Sequence, residues 1–227
     1  MPALTTNQII AVAVAMVITY VVCGIPFGLI IAMKKAGVDI RELGSGNIGT
    51  TNVSRMVGAS AGALTLLLDA LKGLVCTLGA RAFFGTYLGI GYAATGMGGS
   101  CDWVGALMFL ACILGHCFSP YLHFHGGKGI AVGLGGSLAC AWPLGCIVLA
   151  AFIAVAVPTK YVSAGSITAA IGVPVVAMIM YHPTPLATGV LWAIAVIVVW
   201  SHRENVRKLL RGEERKFAFH KDKGEAA

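Results

Sequence analysis

"IAVGLGGSLACAWPLGCIVLAAFIAVAVP", residues 130–158, contains no charged side chain. A helix needs roughly 20 apolar residues to cross a hydrocarbon core about 30 Å thick. The stretch is too long for one comfortable crossing, and at roughly 15 residues per half it is short for two. Pro143 and Gly145 interrupt it as a tight turn between two helices would. Whether it crosses once or twice decides the side of the membrane on which everything after it lies.

The rest of the chain favours two crossings. Of 227 residues, 58% are hydrophobic and 11% charged, whereas a soluble domain carries about a quarter charged residues. Apolar runs predict spans near 8–33, 60–84, 102–120, 130–143, 144–158, 163–181 and 184–200. With both crossings present, the connections at 34–58, 121–129 and 159–162 and the tail from 201 share one side. They hold 4, 1, 1 and 8 Lys or Arg residues, 14 of the chain's 16. Loop bias in Lys and Arg marks the cytoplasmic side. The expectation is an all-α, polytopic integral membrane protein of about seven helices, N-terminus out and C-terminus in. It forms a single domain over 1–227 with a basic tail at 201–227. No Lys or Arg precedes Lys34, so the first apolar run does not read as a secretory signal.

Seven cysteines without a CxxC pair read as small hydrophobes rather than zinc or redox motifs. Trp103, Trp142, Trp192 and Trp200 fall near span ends, as interfacial tryptophans do. Glycine pairs four apart, Gly24/Gly28, Gly58/Gly62 and Gly85/Gly89, read as close helix contacts. Asp69 and Lys72, three apart inside the second span, are expected to pair, because an isolated charge in lipid is costly.

The polar residues gather in the four segments of the basic side. "GSGNIGTTNVSR", 44–55, sets Ser45 and Asn47 among glycines and ends in Arg55, a pattern that suits a backbone nest for an anion. Its G-x-G-x-x-G spacing follows a membrane helix rather than a strand, so it is not a dinucleotide fingerprint. "GHCFSPYLHFHGGKG", 115–129, surrounds Lys128 with Gly126, Gly127 and Gly129 and leads into an apolar helix. It lacks the Walker spacing, yet amides and one ammonium can hold a phosphate. His116, His123 and His125 match no compact metal-ligand spacing, and no metal is expected there. "KYVSAGS", 160–166, places Ser163 and Ser166 on one face. "SHRENVRKLLRGEERKF", 201–217, does the same for His202 and Asn205 and continues as a basic tail suited to anionic lipid.

In this order and between these spans, "GSGNIGTTNVSR", "GH…GGKG", "YVS" and "HRENVRKLLRGEE" resemble the motifs of the bacterial acyl-phosphate-dependent glycerol-3-phosphate acyltransferases, the PlsY family. The resemblance covers nearly the whole chain. Local departures are Phe118-Ser119-Pro120-Tyr121, His125, "GTTN" and "YVSAGS". It implies transfer of a fatty acyl group from acyl phosphate to the 1-hydroxyl of sn-glycerol 3-phosphate, giving lysophosphatidate and inorganic phosphate. The place implied is the bacterial inner membrane, with the site facing the cytoplasm. It implies the lipid bilayer as partner, but no cofactor, nucleic acid or obligate protein. Lys128, His202 and Glu204 become the catalytic candidates, the last two as bases. Arg55 and Lys128 are assigned to the glycerol phosphate. Ser45, Asn47, Ser163, Ser166, His202, Asn205 and the amides of Gly126, Gly127 and Gly129 are assigned to the acyl phosphate. A transporter of phosphate or an organophosphate is the alternative. It would place polar residues on both sides of the membrane, whereas here they cluster on one.

Overall fold

The computed structural model describes residues 5–217; residues 1–4 and the end of the expected tail, 218–227, lie outside the described residues. Among the described residues there are ten α-helices and no strand. They are α1 (Thr6–Gly24), α2 (Phe27–Ala36), α3 (Thr50–Met56), α4 (Ala59–Tyr87) and α5 (Trp103–Cys117). The others are α6 (Ile130–Cys140), α7 (Trp142–Thr159), α8 (Val162–Tyr181), α9 (Pro185–Ser201) and α10 (Arg203–Leu210).

Local chemistry sets the helix ends. Thr5 and Gln8 cap α1 reciprocally, with bonds of 2.9 and 3.3 Å. Pro26, which has no N–H to continue the ladder, separates α1 from α2. Thr6–Ala36 still reads as one crossing of 31 residues. Among the described residues, five segments are long and apolar enough to cross a membrane, and α9 with α10, bent by 60° at His202, makes a sixth when the pair counts as one.

The seventh expected span is different. α6 has 11 residues, about 16 Å at 1.5 Å per residue, half of a hydrocarbon core. Its break from α7 falls at Ala141, not at Pro143 and Gly145 as the sequence suggested. Pro143 instead sits in the first turn of α7, where its missing N–H would have no helical partner anyway. A helix end at this depth must have its carbonyls satisfied by protein. The Arg81 guanidinium donates to the Ala139 carbonyl, and the Met97 N–H donates to the Cys140 carbonyl at 3.1 Å.

α6 lies hard against α4. A methyl group on Gly73 would strike the Val132 carbonyl, and one on Gly135 the Ala70 carbonyl, so these glycines let the two backbones meet. Among the glycines expected to pack, Gly24, Gly28, Gly62 and Gly85 do so, while Gly58 and Gly89, with φ of 118° and 67°, flank α4 at its two ends instead. The outer face of α1 exposes Ile9, Ile10, Val14, Val17 and Ile18, a surface suited to lipid. Trp142, Trp192 and Trp200 are exposed, but Trp103 is buried with Val12 and Phe84 and is no interfacial anchor.

Candidate active site

The four polar segments meet at one cavity of about 500 Å³. Ser45, Asn47 and Arg55 enter from the segment ending in α3, Lys128 and Gly129 from the loop before α6, Ser163 and Ser166 from α8, and His202 and Asn205 from the α9–α10 bend. Deeper in, the lining turns apolar, with Phe109, Leu134, Val148, Leu149, Phe152 and Val173 contributed by α5 through α8. The broken pair α6–α7 therefore supplies much of the oily wall.

Asn52 organises the first segment. The two N–H groups of its Nδ2 are shared among the carbonyls of Ile40, Leu43 and Asn47, which lie 3.2, 3.0 and 3.0 Å away, and its Oδ1 accepts the Ser45 N–H at 3.0 Å. Asn47 Oδ1 accepts the Gly49 N–H at 2.8 Å. The amides of Ser45 and Gly49 are thus spent inside the loop. Those two amides are therefore not part of a backbone nest, while the side chains of Ser45, Asn47 and Arg55 line the cavity.

The glycine loop shows the same economy. The Gly126 N–H donates to the Cys117 carbonyl at 2.9 Å, and the Gly127 N–H to the His116 carbonyl at 3.0 Å. Neither glycine lines the cavity. Their amides, assigned to substrate from the sequence, instead clip the loop to the end of α5. A Cβ on Gly127 would collide with the His116 imidazole. That ring is held in turn: Lys72 Nζ lies 3.1 Å from His116 Nδ1, 2.6 Å from Asp69 Oδ1 and 2.8 Å from the Ile25 carbonyl. The last is a carbonyl near the Pro26 break. The expected Asp69–Lys72 pair is present, and with His116 it forms a buried support under the loop that presents Lys128.

Lys128 Nζ donates to Asn205 Oδ1, and Asn205 Nδ2 donates to Glu214 Oε1 at 2.8 Å. Ser163 Oγ–H donates to the same Glu214 oxygen at 2.8 Å. Burial holds the Lys128 ammonium below the ordinary lysine pKa, with Glu214 opposing that shift and Lys208, Arg203 and Arg55 adding to it. Burial likewise lowers Arg55, which stays protonated at any working pH. His202 Nδ1 lies 2.8 Å from the Val198 carbonyl. A carbonyl only accepts, so Nδ1 carries the proton and Nε2 keeps its lone pair. Ser166 Oγ–H is spent on the Val162 carbonyl at 2.8 Å.

Glu204 does not belong to this group. It lies outside the cavity, exposed, with Arg207 donating to it at 2.6 Å. Successive helical residues point about 100° apart, which places Asn205 inward and its neighbour Glu204 outward. The carboxylates that do line the cavity are Asp69 and Glu214. Sequence reasoning missed Glu214 by reading residues after Asn205 as a solvated tail; the Gly212 break just before it was the available signal.

A cationic, hydroxyl-rich mouth that opens directly into an oily cavity defines an integral membrane protein with one site that is polar at its entrance and apolar within. A profile of the glycerol-3-phosphate acyltransferase family matches residues 13–212, and the chain belongs to that family. It is 44% identical to the glycerol-3-phosphate acyltransferase of Geobacter sulfurreducens over 93% of this chain and 98% of that one. It is 41% identical to that of Rubrobacter xylanophilus over 87% and 91%. Two crystal structures of PlsY, an integral membrane glycerol 3-phosphate acyltransferase, share the fold. The glycerol 3-phosphate form superposes with a TM-score of 0.81 at 32% identity, covering 92% of this chain and 96% of that one. The lysophosphatidic acid form gives 0.79 at 31%, with the same coverage.

Proposed function

We propose that this acyltransferase takes acyl phosphate as donor and sn-glycerol 3-phosphate as acceptor, and releases lysophosphatidate and inorganic phosphate. The observation that carries the reading is the continuity of the cavity from the Lys128–Arg55 mouth to the apolar wall of α6 and α7. A fatty chain gains about 0.8 kcal/mol per buried CH₂, while both phosphates need cations. One cavity offers both environments.

In the reaction the 1-hydroxyl oxygen attacks the acyl carbonyl carbon. The bond from that carbon to the phosphate oxygen breaks. Phosphate departs, and the hydroxyl proton ends on it or on a base. The mixed anhydride is already activated, so holding two anions together in line supplies much of the rate. Lys128 and Arg55 offset the repulsion between the phosphates. His202 Nε2 is the side-chain acceptor for the hydroxyl proton, and a phosphate oxygen is the other. The mouth faces the cytoplasm of a bacterial inner membrane, N-terminus out and C-terminus in. The support for this is that the segments forming the mouth carry most of the Lys and Arg residues.

Purified protein given synthetic acyl phosphate and labelled glycerol 3-phosphate, without ATP, coenzyme A or divalent metal, should form labelled lysophosphatidate. Product from acyl-coenzyme A but not from acyl phosphate would refute the donor. Uptake into sealed vesicles without product would point to a transporter.

A further inference from the structure

The segment after α10 closes over the mouth. Within 211–216 only Glu214 is half-buried; its neighbours are exposed. Its Oε1 takes the Ser163 hydroxyl and one Asn205 N–H, both at 2.8 Å. Beside it, Arg55 donates to the Arg215 carbonyl at 3.3 Å and lies 5.7 Å from the centre of the Phe217 ring. The groups assigned above to phosphate, namely Ser163, Asn205, Arg55 and, through Asn205, Lys128, are thus engaged by this strap.

We infer that Glu214 is a latch: its carboxylate occupies the phosphate subsite and leaves when substrate phosphate arrives. A count of donors requires an exchange. Serine has one O–H, and Ser163 spends it on Glu214, so a phosphate can receive that proton only after Glu214 lets go. Charge acts in the same direction, because a phosphate monoester bears about −1.5 to −2 and a carboxylate on the same donors repels it. Attachment of the strap is polar and cation–π rather than apolar: besides the Glu214 and Arg55 contacts, Lys216 lies 5.7 Å from the centre of the Tyr161 ring. Backbone bonds run from the Phe217 N–H to the Lys160 carbonyl and from the Glu213 N–H to the Lys208 carbonyl, each 2.8 Å. No residue of 211–217 belongs to a buried apolar cluster. Segments with so few buried apolar contacts open at low free energy. The latch keeps the cations neutralised between turnovers and discriminates against weakly charged acceptors, which cannot displace a carboxylate.

The inference rests on reading the mouth as a phosphate site, and the test separates the two. Full-length protein in detergent is titrated with inorganic phosphate while hydrogen exchange is followed at the Glu213 and Phe217 amides. Saturating phosphate should speed exchange at both. Glu214→Gln keeps an acceptor of the same shape without the charge. It should bind phosphate about tenfold more tightly, a conservative share of the repulsion between close charges near a protein surface, and show fast strap exchange before phosphate is added. Slower or unchanged exchange with phosphate, or binding to Glu214→Gln no tighter than to wild type, overturns the latch. Turnover is measured on the same wild-type preparation: active enzyme with an unresponsive strap sinks the latch alone, and absence of lysophosphatidate sinks the activity.

Discussion

Truncating Lys128 to alanine isolates the cation on which the proposed chemistry leans. The ammonium is half-buried, donates to Asn205, and stands on a loop clipped to α5 by the Gly126 and Gly127 amides. Because those clips are backbone bonds, Lys128→Ala leaves them intact, and the thermal midpoint should stay close to wild type. Removing one preorganised charged donor from a developing phosphate or carbonyl charge costs about 10²–10³ in rate. Leaving the partner anion partly unpaired in a screened site costs about 2–5 kcal/mol, which is the same range. The expected loss in kcat/KM is therefore about a thousandfold. Lys128→Arg keeps the charge on a larger planar head and should recover part of it. The assay follows labelled lysophosphatidate from acyl phosphate, with glycerol 3-phosphate varied. A Lys128→Ala enzyme within threefold of wild type would show that Lys128 only sets the loop, and the electrostatic account of the mouth would fail.

Other expectations follow from the same contacts. Burial lowers the Lys128 pKa, so the ammonium is lost on the alkaline side earlier than for an ordinary lysine. The alkaline limb of kcat/KM, which reports the free enzyme, should fall below the ordinary lysine value of about 10.4, and Lys128→Arg should remove that limb. Asp69→Asn leaves the Lys72 ammonium buried without its carboxylate and should destabilise by about 3–5 kcal/mol. Asp69→Leu combined with Lys72→Met should be more stable than either single variant in thermal unfolding. If the two single losses simply add, the pair is not coupled. Glu204→Gln should keep full turnover, because that carboxylate is exposed and bonded to Arg207; a hundredfold loss would return Glu204 to the list of bases.

The sequence reveals the architecture because lipid is a strict solvent. Long uncharged runs and the placement of Lys and Arg determine where helices cross, and the structure has all the expected apolar segments as helices. It is less informative where tertiary partners decide. Pro143 reads equally well as the end of one helix or the start of the next, and only the position of Ala141 distinguishes them. The 130–158 stretch reads as short for two crossings, and nothing in the composition of α6 announces that Arg81, some 58 residues earlier, will satisfy one of its last carbonyls. The side chains of the site were legible as residue types: hydroxyl, amide and cationic groups cluster in four segments, and Ser45, Asn47, Arg55, Lys128, Ser163, Ser166, His202 and Asn205 do line one cavity. What glycine spacing could not show was where backbone N–H groups point. Gly126 and Gly127 look like an anion cradle until the carbonyls of His116 and Cys117 take their protons. Their glycine identity then has a different cause: a Cβ on Gly127 would stand where the His116 imidazole packs, and one on Gly126 would strike the His116 carbonyl. The buried support under the Lys128 loop was illegible for the same reason. His116 matters through Lys72 and Asp69, two helices' worth of chain away, and a pattern read along one dimension carries no signal for a contact made across the bundle.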